Sequence, residues 1–228
     1  MKKLLLCAAA LVAMPAQATV LLPGQQSVIF STFDPATKGT LVDSSQVSGQ
    51  ALTFAATFRS AVYRNTSGTL DFWYQVDRTG KGSAPRANDQ EIKRFTVSAF
   101  DGFDVNAFVS TLDPDAAGIF KAVNNPTPAG GSTTRVSRDS TGEVIETNFW
   151  GAGHNGLIGT ENSATYIFRT NATRYTVGTF GVLDGSSLQG LTFAPVVPEP
   201  ATWALMLAGF GLVGGMVRRS QRVKAVLA

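Results

Sequence analysis

Two stretches of strict alternation do most to limit what this chain can become. Leu52, Phe54, Ala56, Phe58 and Val62 alternate with Thr53, Thr57, Arg59 and Tyr63. After Asn65-Thr66-Ser67-Gly68, Leu70, Phe72, Tyr74 and Val76 alternate with Asp71, Trp73, Gln75 and Asp77. A period of two sends successive side chains to opposite faces of a strand, and a short turn rich in Asn, Ser and Gly reverses the chain. The pattern predicts an antiparallel hairpin with one apolar face. Phe95, Val97 and Ala99 predict a further strand, with a break of phase after Ile92 that reads as a bulge. Segments 133–138 and 143–150 flank Asp139-Ser140-Thr141-Gly142 as a second hairpin, and strands are expected over 163–170, 175–180 and 188–193. Segments 104–109 and 115–123 are expected to form short helices, and the Pro- and Gly-rich 124–131 an exposed loop. Short strands at this spacing predict a mainly β domain, an antiparallel β-sandwich or jelly-roll-like fold.

The two ends follow different rules. Met1-Lys2-Lys3, an apolar run from Leu4 to Met14 and Pro15-Ala16-Gln17-Ala18 form the three parts of a secretory signal peptide. The run is shorter than the ~20 residues that span a bilayer. Small side chains at Ala16 and Ala18 place signal peptidase cleavage before Thr19, so 1–18 is read as the leader. Cys7 is the only cysteine, and three preceding apolar residues are too few for a lipoprotein box. Thiol catalysis and disulfides are therefore not expected in an exported 19–195 domain, which must rest on its core.

Residues 201–217 form an uncharged run of 17 residues with Trp203 near its start and Arg218, Arg219, Arg222 and Lys224 behind it. At ~1.5 Å per residue this is just long enough for a transmembrane helix. The trailing cations place the C-terminus in the cytoplasm and the domain outside. Gly211 and Gly215 make a small-xxx-small pair on the helix. Pro198-Glu199-Pro200 precedes it, and two prolines fix an extended backbone with one carboxylate at the interface.

Motif, Trp203-Ala204, glycine-rich helix and Arg218-Arg219 in this order resemble the PEP-CTERM sorting domain, in its variant with Trp-Ala after the motif. The resemblance covers about 196–219. It implies a sorting signal over 196–228: motif 198–200, helix 201–217, basic tail 218–228. It further implies transient anchoring in the inner membrane of a Gram-negative bacterium, processing by an exosortase, and delivery to the cell surface or an exopolysaccharide-containing matrix.

The formal charge of +3 belongs to these ends, because 19–196 holds 13 Lys and Arg against 15 Asp and Glu. The cations are scattered rather than clustered, so no nucleic-acid partner is expected. His154, the only histidine, sits among glycines, and no Gly-x-Ser-x-Gly elbow nominates a serine. Asp101, Asp104, Asn106, Asp113 and Asp115 are oxygen donors of a kind that Ca²⁺ takes, but their spacing fits no EF-hand and Asp beside Gly or Pro is ordinary turn chemistry. No metal and no cofactor is expected.

Two sequons, Asn65-Thr66-Ser67 and Asn171-Ala172-Thr173, are of a frequency expected by chance. Trp73 lies on the Asp71/Gln75 side of its strand, where it would be an exposed sugar-stacking platform or sit beneath a second apolar layer; the second reading is preferred. These observations point to a non-enzymatic, sorted surface or matrix protein. A carbohydrate-binding module for exopolysaccharide is the alternative, and a secreted hydrolase the next.

Overall fold

In the computed structural model the described residues are 18–84, 91–112, 118–124, 134–151, 154–197, 206 and 208–213. The strands are β1 (Thr19–Val20), β2 (Val28–Ile29), β3 (Ser31–Thr32), β4 (Thr40–Gln50), β5 (Phe54–Arg64), β6 (Leu70–Lys81), β7 (Arg94–Val97) and β8 (Val105–Ser110). There follow β9 (Arg135–Arg138), β10 (Ile145–Asn148), β11 (Trp150–Gly151), β12 (His154–Asn155), β13 (Thr165–Thr170), β14 (Arg174–Asp184) and β15 (Ser186–Val196). One sheet runs β1-β8-β13-β6-β5-β4, and a second runs β15-β14-β7-β10-β9-β2. All pairs are antiparallel except β3, which lies parallel to β8.

The predicted β5–β6 hairpin forms through its turn, where Arg64 pairs with Leu70 and Gly68 takes a φ of 82° that disfavours a side chain. Asn65 fixes this turn by accepting from the amides of Ser67 and Thr69. Phe54, Ala56, Phe58 and Val62 of β5 and Leu70, Phe72, Tyr74 and Val76 of β6 all point inward and are buried. Leu52, assigned to the same face from sequence, lies before the strand and is exposed.

Facing these residues are Phe95, Val97, Ile145, Phe180 and Val182 of the second sheet, which makes the architecture a β-sandwich. Phe58 stacks on Phe180 with centroids 4.0 Å apart, and Phe95 meets Phe58 and Tyr166 at 5.6 Å each. The Tyr74 hydroxyl donates to the Phe193 carbonyl across the sandwich, and burial pushes both the Tyr74 and Tyr166 phenols up.

Segment 104–109, expected as a short helix, is strand β8. Its alternation is blurred by Phe108: Val105, Ala107 and Val109 face the main core, while Phe108, between Asn106 and Ser110 on the other face, enters a second cluster on the outer side of the sheet. In 115–123 the described residues 118–123 contain no helix, and 113–117 lie outside the described residues. Residues 118–124 instead cross the outer face of β6. The Lys121 amide donates to the Gln75 side-chain oxygen, and the Gln75 amide donates to the carbonyls of Lys121 and Ser163. Phe120 and Phe33 then close over Trp73, so the first sheet has apolar residues on both sides.

The long flanks of the sandwich differ. On one, the segment 19–32 crosses between the sheets, and the Thr19 hydroxyl donates to the Ile29 carbonyl. On the other, the two 11-residue edge strands β4 and β15 lie side by side, with Gly190 of β15 leaving room for the Phe180 ring and Val47.

Candidate functional site

The hairpin of β14 and β15 keeps its register to the last pair, Arg174 with Val196. Only Val197 then separates the folded domain from Pro198. Pro198, Glu199, Pro200, Trp203, Arg218 and Arg219 lie outside the described residues. Within the predicted span, Met206 and residues 208–213 are helical and exposed. Among the described residues no helix is long and apolar enough to cross a membrane.

At the other end Ala16 lies outside the described residues. Ala18 packs against the outer apolar cluster, and Thr19 opens β1 opposite Ala107 of β8. The expected cleavage point therefore coincides with the first strand residue of the domain.

Trp73 has no solvent exposure. It packs edge-on against Phe33 at 5.0 Å, over Tyr63 at 4.3 Å and beside Phe120 at 5.9 Å. It is the centre of a second apolar layer, and its indole N–H has no acceptor among the described residues. The polar residues beside it on β6 are held internally. Arg169 binds both oxygens of Asp71 at 2.9 to 3.1 Å, and Asp77 pairs with Arg59 at 2.7 Å and Lys121 at 2.9 Å.

His154 begins β12, whose partner β11 carries Trp150, and Gly151 lies opposite His154. Asp101 is exposed, while Asp104 is tied to Asn171 by two hydrogen bonds. Asp113 and Asp115 lie outside the described residues. Among the described residues no group of three His, Cys, Asp or Glu side chains is gathered. Of the two sequons, Asn65 is buried with its amide donating to Thr69 and Asp71, whereas Asn171 is exposed.

One surface escaped the sequence. Among the described residues the outer face of the second sheet has no covering layer, and its pairing sets outward residues in rungs across the strands. Ser187, Leu183, Arg94 and Asn148 make one rung; Gln189, Gly181, Thr96 and Glu146 make the next. Leu191 and Thr179 continue into a third, where the Thr179 hydroxyl bonds that of Ser98 at 2.8 Å. Two adjacent depressions of about 460 and 470 Å³ lie along these rungs. Gly181 lies in the second of them, where a Cβ would come 3.1 Å from the Thr96 hydroxyl.

Two cations along these rungs lie beside carboxylates. Arg94 pairs with Glu146 at 3.2 Å, and the Lys93 ammonium lies 3.7 Å from Glu91 and 3.8 Å from Asp184. Burial pushes the Asp184 carboxyl up, with Lys93 and Arg78 opposing, and burial likewise pushes Glu91 up. Sequence reasoning found these strands but not the surface. Short polar residues alternating with Phe and Val look alike whether a face is open or covered.

The described fold is a β-sandwich whose last strand runs directly into the C-terminal tract. Residues 196–222 match the family model of the PEP-CTERM protein-sorting motif. That motif marks the chain for export and for sorting through an exosortase to the surface or the extracellular space. No curated protein and no solved structure matches the chain.

Proposed function

We propose that this is a non-enzymatic surface or matrix protein, held briefly in the inner membrane of a Gram-negative cell by 201–217, cleaved near 198–200, and released into association with exopolysaccharide. The match over 196–222 carries the reading. The position of the motif supports it. With one residue between β15 and Pro198, the sandwich is tethered close to the bilayer and the processing segment is offered at its base.

The leader of 1–18, with Ala16 and Ala18 read by signal peptidase, provides entry to the pathway. The trailing arginines orient the helix with its C-terminus in the cytoplasm. A non-catalytic role is supported by Asp71 and Asp77, buried carboxylates already engaged in ion pairs rather than facing a cleft.

Deletion of 198–200 in producing cells tests the proposal. The deleted protein should accumulate uncleaved in the inner-membrane fraction. Processing and release at the normal rate would overturn it.

A further inference from the structure

The long strand β4 is the unguarded margin of the sandwich. Among the described residues it pairs with β5 alone. The strands at the far ends, β1 and β3 of the first sheet and β2 of the second, are two residues each. β15, its neighbour on the same flank, is closed off: Pro195 offers no N–H, and the Phe193 carbonyl already accepts the Tyr74 hydroxyl. Native edges are commonly blunted by short length, lysine or proline, because unpaired main-chain groups invite another strand. β4 has 11 residues, no lysine and no proline, and its one charge, Asp43, accepts from the Tyr175 hydroxyl. Its register shift between Leu41 and Asp43 leaves 43–50 regular.

Main-chain groups of alternate residues in an antiparallel strand point to opposite sides. The Ala51 amide donates to the Phe54 carbonyl in the register of β4 on β5, so Gly49, Val47 and Ser45 turn their groups toward β5. Those of Ser44, Gln46, Ser48 and Gln50 turn outward. The Asp43 carboxylate accepts the Ser44 amide at 2.8 Å, whereas among the described residues the amides of Gln46, Ser48 and Gln50 have no acceptor. Exposed aliphatic residues stand at both ends of this edge, Leu41 and Val42 at its start and Leu52, 62% exposed, just past its finish.

We propose that two copies of the chain pair through β4, antiparallel about a two-fold axis at Val47, and join their first sheets into one continuous sheet. The argument for a second copy as occupant is self-complementarity. In this register Gln46 faces Ser48 of the second copy, so the outward amides and carbonyls meet and the amide and hydroxyl side chains stand opposite each other. Asp43 faces Ala51 of the second copy, so no like charges meet. The start of one strand lies beside the finish of the other, which brings Leu41 and Val42 to the end that carries Leu52 of the second copy. An unlike strand would have to reproduce this spacing, whereas symmetry supplies it. The pairing is independent of the sorting tract.

The test uses the full-length chain in detergent, with sedimentation equilibrium and hydrogen exchange as readouts. The wild type should form a dimer, and the amides of Gln46, Ser48 and Gln50 should exchange slowly when concentrated and fast when diluted. Gln46→Pro removes one outward N–H without touching the β5 ladder, and Gln46→Lys sets like charges near the axis; each should weaken the dimer at least tenfold. Leu52→Ala should weaken it severalfold. Gly211→Leu, which blocks close approach of the C-terminal helices, should leave it unchanged. Thermal unfolding monitors the fold of each variant.

A wild type that stays monomeric, with those three amides fast at every concentration, would overturn the proposal. So would a dimer that both Gln46 variants leave intact. Loss of the dimer in Gly211→Leu alone would assign the contact to the helices, and assembly continuing beyond two copies would show an open contact rather than this closed pair; both overturn it.

Discussion

At the scale of single residues, Trp73 shows how a strand face can mislead. Its neighbours on β6, Asp71, Gln75 and Asp77, are polar, and polar neighbours normally mean solvent. Here each has a partner within the protein, Arg169 for Asp71, the 121 and 163 backbone for Gln75, and Arg59 with Lys121 for one oxygen of Asp77, and all three are buried. No local pattern distinguishes a polar residue bonded to water from one bonded to protein.

Trp73→Ala should cost about 3–5 kcal/mol in urea denaturation, because it empties the centre of the second layer. Trp73→Phe should change stability by less than about 1 kcal/mol, since losing an unpaired buried N–H offsets the smaller ring. A tolerated alanine would contradict the layer.

Arg138 makes the same point with a cation. Its guanidinium donates to the carbonyls of Gly142, Leu21, Phe100 and Phe103, clamping three separate turns, and burial pushes its pKa down. The sequence presents it only as the last residue of a strand.

Among the elements, the hairpin of β5 and β6 was legible because its turn chemistry and its period agree. The strands around Asp139–Gly142 were legible for the same reason, with Asp139 accepting from the Val144 amide. β4 was not, for its 11 residues form a polar edge strand with Val47 as the single apolar residue packed against the core. β8 failed in the opposite way, because Phe108 puts a large apolar side chain on its otherwise polar outer side.

The crossing segment 118–124 is the element that seals the outer face, and Gln75 is its fastening. Gln75→Ala would leave the Lys121 amide and two carbonyls without their partner, a loss of about 2 kcal/mol. Hydrogen exchange should then show faster exchange at the Lys121 amide with β6 amides still protected. Unchanged protection at Lys121 would mean that the segment is held by something other than Gln75.

For the molecule as a whole, the two sheets have different duties. The first is buried on both sides and gives the domain its stability without a disulfide after residue 18. The second keeps one face open among the described residues, and its last strand leads to the sorting motif with one residue between. The sorting tract was readable because it is linear, with proline, glutamate, apolar run and arginines in sequence order. The open face was not, because it exists only when four strands from distant parts of the chain are set side by side.

The central claim is that the membrane segment is temporary. Intact-mass measurement of the protein recovered from the cell surface or medium tests it directly. The account predicts a C-terminus near 198–200 and no residues of 201–228; a released protein that still ends at Ala228 would contradict it.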